Sequence, residues 1–139
     1  IRNAGNLIPE YDANSPTNEG LTLEYGVSVL GIPEIVVCGH ASCGAMGGLK
    51  DIEKVKSLPI VYKALETYKN LHASDIEGKS LDQLISWNVD IQLQALFGYP
   101  FIQENLKSGK LKVYGMVYDF VNAEVTYHSE LNAEGQVSS

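Results

Sequence analysis

The chain has 139 residues, of which 45% are hydrophobic, which is the size and make-up of one ordinary soluble domain with a sizeable core. A formal net charge of −7, with Arg2 as the sole arginine, excludes the basic face that nucleic-acid binding needs and disfavours an anionic membrane surface. No apolar run approaches the roughly 20 residues of a membrane helix, no secretory pattern is present, and two cysteines read as thiols or metal ligands in a reducing compartment rather than as a disulfide framework.

The chain opens on Ile1-Arg2-Asn3-Ala4-Gly5-Asn6, without methionine. That stretch reads as the end of a strand feeding a Gly/Asn turn, and it predicts further residues upstream. Asn6 to Thr17 is loop by turn chemistry, with Pro9, Asp12, Asn14, Ser15 and Pro16. Ser15 followed by Pro16 predicts an N-cap and a first helical turn. Leu23, Val27 and Leu30 recur at i, i+4 and i+7, one face of a helix that Gly31 and Pro33 stop. Glu34 to Cys38 is continuously apolar after its first residue, the pattern of a central parallel strand covered on both faces.

Gly39-His40-Ala41-Ser42-Cys43 follows as a turn, and Gly44-Ala45-Met46-Gly47-Gly48-Leu49 allows close approach of a helix or a ligand. Helical periodicity returns from Leu58 to Leu71, and His72 to Ser80 is a polar connection. Ser80 with Gln83 forms a capping-box pattern for a helix running through Trp87 and Ile91 to Phe97. A short helix spans Phe101 to Lys107. Lys112 to Phe120 and Glu124 to His128 read as strands joined by a turn near Asn122, and Asn132 to Ser139 as a frayed tail. The expected fold is α/β, a single domain over residues 1–139. It has a mainly parallel β-sheet flanked by helices, with an antiparallel edge strand near the C-terminus.

The chemistry concentrates at His40 and Cys43. An imidazole and a thiolate three residues apart, just past the carboxyl end of a strand, suit one metal ion, and zinc accepts both donor types. The alternative is a capped turn with a hydrogen-bonded imidazole and a buried thiol. Cys38, inside the apolar strand, reads as packing, and a Cys38–Cys43 disulfide would require strand and turn to fold back on each other. His72, in a polar linker, and His128, ending an edge strand, are alternative ligands in principle. Tyr25 reads as core packing, and Arg2 either serves an anion or pairs with a carboxylate such as Glu24 or Asp119.

Taken together, Arg2 to Asn6, Leu23-Glu24-Tyr25-Gly26-Val27, Ile35 to Gly44, Trp87-Asn88-Val89 and the Gly109 to Asp119 stretch resemble the β-class carbonic anhydrases, in their plant and cyanobacterial branch. The resemblance implies a zinc enzyme that interconverts CO2 and water with bicarbonate and a proton, in a homodimer or higher homo-oligomer with the cleft at the subunit interface. It places the protein in the cytoplasm or in the interior of an organelle or microcompartment. His40 matches the family's histidine ligand and Cys43 its second cysteine ligand. Ala4 and Tyr25 fall at substrate-pocket positions, and Gly39 where backbone approaches the substrate. The family's Cys-x-Asp-x-Arg motif, which carries the first cysteine ligand and the catalytic Asp-Arg pair, has no counterpart here. The domain is therefore expected to be N-terminally incomplete, and a catalytically inactive structural or interaction module is the alternative function. A redox protein using Cys38 and Cys43 is a third reading.

Overall fold

A computed structural model describes all 139 residues. Helix α1 spans Asn18–Glu24 and runs into a single wide turn, Tyr25–Val29. Strand β1 spans Glu34–His40, α2 Gly44–Lys50, α3 Pro59–Leu71 and α4 Ala73–Ile76. Helices α5 (Leu81–Phe97) and α6 (Pro100–Lys107) precede strands β2 (Lys112–Asp119), β3 (Glu124–Leu131) and β4 (Val137–Ser138). The strands form one sheet in the order β1-β2-β3-β4.

Only the β1–β2 pair is parallel; β2–β3 and β3–β4 are antiparallel. The α/β layer is as expected, while the antiparallel part is larger than a single edge strand. The reason is local: β2 and β3 are joined by a turn too short for a crossover, and such a turn permits only an antiparallel return. The C-terminal residues, expected to fray, return as β4. Asn132 Oδ1 accepts from the backbone N–H groups of Glu134 and Gln136, at 3.0 and 2.8 Å, and this folds the tail back onto β3.

Strand β1 departs furthest from expectation. It lies at the end of the sheet, paired on one side only. Its residues alternate in burial, with Val37 and Gly39 buried and Val36, Cys38 and His40 exposed. A continuous apolar run therefore does not mean two covered faces here. One face packs on α5, and the other is open along the free edge.

Helix α5 organises the rest. The capping box expected at its start is present, with Ser80 Oγ accepting from Gln83 N and Gln83 Oε1 from Ser80 N. Val89, Leu93 and Leu96 pack with Val37, Val113 and Leu131 of the sheet, while Leu84 and Ile85 pack with Met46 and Leu49 of α2. Of the small residues in α2, Gly48 answers to a neighbouring element rather than a ligand: a Cβ there would lie 2.9 Å from Leu65 Cδ1 of α3.

Near the N-terminus the helix start moves from Ser15 to Thr17, whose hydroxyl accepts from Gly20 N at 3.1 Å. Ser15 is engaged earlier, its N–H bonding Asp12 O in the preceding turn. Leu23 and Val27 are buried as their spacing predicts, but Leu30 is exposed. The wide turn explains the difference, because Leu30 N bonds Tyr25 O, five residues back. One residue more than an α-turn rotates Leu30 off the buried face. Gly31, at φ +63°, then ends the segment as predicted.

Candidate metal centre

The turn after β1 is built in three steps. Ala41 N donates to Tyr118 O at 2.8 Å, so the ladder with β2 extends one residue beyond His40. Ser42 then takes a left-handed conformation, φ +54°, which turns the chain sharply. Cys43 closes the turn as the N-cap residue of α2, and its side chain makes no capping hydrogen bond.

His40 is exposed, and its Nδ1 lies 2.8 Å from Ala41 O. A carbonyl oxygen only accepts, so Nδ1 carries a proton, and in the neutral ring that leaves the lone pair on Nε2. That is the tautomer in which a histidine ligates through Nε2. Cys43, by contrast, is only 4% exposed and packs with Met46, Leu84 and Ile85. By donor chemistry, a neutral imidazole and an uncommitted thiol both suit zinc. No group of three or more His, Cys, Asp or Glu side chains stands close enough to hold a metal, so these two donors are an incomplete set.

The free edge of β1 faces a half-enclosed cavity of about 480 Å³. Its walls are the Ile1–Ile8 segment except Ala4, α1, and β1 from Glu34 to Cys38 together with His40. Cys38, expected to be packed, is exposed here, and its thiol donates to Gly39 O at 3.4 Å. Strand alternation puts it on the same face as His40, away from α5. In the same lining, Asn3 Nδ2 donates to Leu7 O at 2.8 Å and to Glu19 Oε1 at 3.2 Å. That second bond holds the Glu19 carboxyl below the usual carboxylate range. Asn3 Oδ1 and Asn6 Nδ2 are buried with no partner. The wall thus presents one unanswered acceptor and one unanswered donor.

Of the five residues that the resemblance assigns to the site, His40, Cys43, Ala4, Tyr25 and Gly39, only His40 lines this cavity. Gly39 is on the opposite face of β1, where a Cβ would lie 2.9 Å from Val89 Cγ2 and 3.3 Å from Ile85 Cγ2 of α5. Its lack of a side chain therefore serves helix–strand packing. Ala4 and Tyr25 are exposed outside the cavity wall, and Tyr25, expected in the core, is 55% exposed. Arg2 lines the cavity and makes none of the chain's ion pairs, with Glu24 and Asp119 included.

The two other histidines are accounted for without metal. His128 Nε2 lies 3.1 Å from the Asp90 carboxylate, which also accepts from Ser129 Oγ at 2.6 Å. His72 packs against the rings of Tyr68 and Trp87, with centroids 4.7 and 5.4 Å away. What sequence reading missed is a polar cluster under the cavity wall, formed by Tyr68, Asn88 and Gln92. Its signal was two amides at i and i+4, Asn88 and Gln92, each directly before an apolar residue of the helix's buried face, Val89 and Leu93.

Comparison with known proteins agrees with this architecture. The family model described as carbonic anhydrase matches residues 1–125. A carbonic anhydrase of Synechococcus elongatus is 35% identical over 96% of this chain and 52% of its own length. The solved β-carbonic anhydrase CcaA superposes with a TM-score of 0.80 at 34% identity, covering 95% of this chain and 65% of that one. A structure from a study of two tetrameric β-carbonic anhydrases of Sordaria macrospora gives a TM-score of 0.71 at 25% identity, over all of this chain and 68% of that one. The chain spans about half the length of the curated relatives it matches. By sequence match and by fold, it belongs to the β-class carbonic anhydrase family.

Proposed function

We propose that the protein catalyses the reversible hydration of CO2 to bicarbonate and a proton, using zinc held in part by His40 and Cys43. The observation that carries this reading is the His40 ring, whose Nδ1–H is fixed on Ala41 O so that Nε2 is free beside the cavity. Zinc, when bound, supplies a Lewis acid that makes water nucleophilic near neutral pH. The third protein donor comes from outside residues 1–139, and the resemblance makes it a cysteine in an upstream segment. The unpaired edge of β1 and the two orphaned atoms, Asn3 Oδ1 and Asn6 Nδ2, support a further segment seated in the cavity.

The chain's own residues do the rest of the binding. Apolar lining from Ile32, Ile35, Val36 and Leu96 suits CO2, a small molecule without charge. Arg2, free of any carboxylate partner, is the cationic group available to the bicarbonate product. Gly39 keeps β1 against α5 and so sets the height of His40.

Tyr25 enters the site through assembly. Leu21, Tyr25 and Val29, spaced four residues apart, are 64%, 55% and 63% exposed and form an apolar stripe opposite the buried Leu23 and Val27. A second copy of the chain covers that stripe in a homodimer or larger assembly and brings Tyr25 to the cleft.

The test is Cys43→Ser in the protein expressed from its complete gene. Zinc content by elemental analysis should fall from one per subunit to a small fraction, and CO2 hydration by stopped flow should collapse. Full activity in that variant would overturn the assignment. The second reading, an inactive structural module, draws on the missing third donor. It predicts no stoichiometric zinc and no hydration in the wild-type protein itself.

A further inference from the structure

Three side chains of contrasting length converge beneath the cavity wall. Tyr68 OH donates to Asn88 Oδ1 at 2.9 Å; Gln92 Nε2 donates to Tyr68 OH at 3.0 Å and to Asn88 Oδ1 at 3.1 Å. The ring is closed, and two groups remain to point outward. Asn88 Nδ2 donates to Gly5 O at 2.9 Å, and Gln92 Oε1 accepts from Ile8 N at 2.6 Å. Asn88 and Gln92 are 1% and 2% exposed, so no water competes for these bonds.

The backbone they grip needs holding. Gly5 and Asn6 are both left-handed, at φ +79° and +45°, and a Cβ on Gly5 would lie 3.3 Å from Ala45 Cβ of α2. The turn is thus clamped between polar groups of α5 and the helix that starts immediately after Cys43. It lines the same cavity as His40. One donor and one acceptor, i and i+4 on α5, meet one backbone carbonyl and one backbone N–H three residues apart. Leu at either position would leave a buried backbone group unpaired.

We infer that Asn88 and Gln92, locked in orientation by Tyr68, are positioning residues that set the wall carrying Arg2 and Asn3 relative to His40. Neither makes a hydrogen bond to His40 or Cys43. Their effect on the reaction runs through the Gly5–Ile8 backbone. Only the activity arm of the test rests on the carbonic anhydrase reading; the geometric arms do not.

The experiment compares wild type, Gln92→Leu and Gln92→Glu. In Gln92→Leu the Ile8 amide should exchange with solvent about tenfold faster or more, while the Leu93 and Val113 amides of the core keep their protection. Alkylation of Cys38, in the same cavity lining, should speed several-fold as the cavity opens. With zinc content unchanged, kcat/KM for CO2 hydration should fall by about tenfold. Gln92→Glu keeps an acceptor for Ile8 N–H. Burial raises that carboxyl's pKa, so at low pH it is protonated and also donates as the amide did. Ile8 protection should therefore be recovered there, most fully at acidic pH. Unchanged Ile8 exchange in Gln92→Leu overturns the inference. So does a freed Ile8 amide with Cys38 reactivity and kcat/KM both unaltered, since the bond would then be structural alone. If the wild type neither binds zinc nor hydrates CO2, the functional reading fails, and Ile8 exchange with Cys38 reactivity still decides the clamp.

Discussion

At the residue scale, β1 shows how much turns on a one-position alternation. Val37, Cys38, Gly39 and His40 are consecutive, yet Val37 and Gly39 are buried on the α5 side while Cys38 and His40 are exposed on the other. Gly39 is the residue that lets this happen. The two nearest atoms to a Cβ there belong to Val89 and Ile85, both buried in the core and so without room to yield. Gly39→Ala should destabilise the protein by about 1–3 kcal/mol through overpacking, read as a lower urea midpoint at unchanged slope. The same substitution should weaken zinc binding, because β1 must move off α5 and carry His40 with it. A wild-type midpoint would show that β1 has slack that the contacts do not reveal.

At the scale of elements, α5 and α3 meet through the Tyr68 hydroxyl. Burial pushes that phenol up to about 12 from an ordinary value of 10.0, the Gln92 hydrogen bond opposing the shift. The sign follows from linkage. The unfolded chain loses the tyrosine proton first, so the neutral phenol contributes its stability below about pH 10, and that contribution is lost as pH rises toward about 12. Urea midpoints measured from pH 9 to 12 should therefore fall more steeply for wild type than for Tyr68→Phe. Parallel curves would mean that the hydroxyl ionises in the folded protein as it does in water. The variant should also lose about 1 kcal/mol at neutral pH, since Asn88 Oδ1 keeps its second donor, Gln92.

The wide turn after α1 belongs to the same scale. Sequence spacing correctly put Leu23 and Val27 on the buried face, but an i→i+5 hydrogen bond is invisible to a 3.6-residue period. Its consequence reaches the surface. Leu30 swings out, and with Leu21, Tyr25 and Val29 the segment becomes apolar on its outer side. This stripe is the surface that the proposed assembly would cover. Val29→Asp should shift the protein toward monomer in sedimentation velocity while leaving far-UV circular dichroism intact. An assembly of unaltered mass in that variant would move the interface elsewhere.

For the whole molecule, the sequence by itself determined most of the local structure. Residue periodicity, capping chemistry at Ser80 and Gln83, and glycine stops located the helices and strands, because these depend on neighbours within about five positions. It also determined the family, since motif identity is a property of the sequence, and it is the source of the proposal that His40 and Cys43 are donors. No helix is long and apolar enough to cross a membrane. Tertiary structure alone decided which face of β1 is covered, that Cys38 is exposed and Cys43 buried, and that His128 pairs with Asp90. It alone brought Gly5 and Ile8 to Asn88 and Gln92, across more than 80 positions. The physical reason is the same in each case. Burial and hydrogen-bond partners are set by contacts between elements distant in sequence, and a periodic pattern records which residues share a face but not what that face will meet.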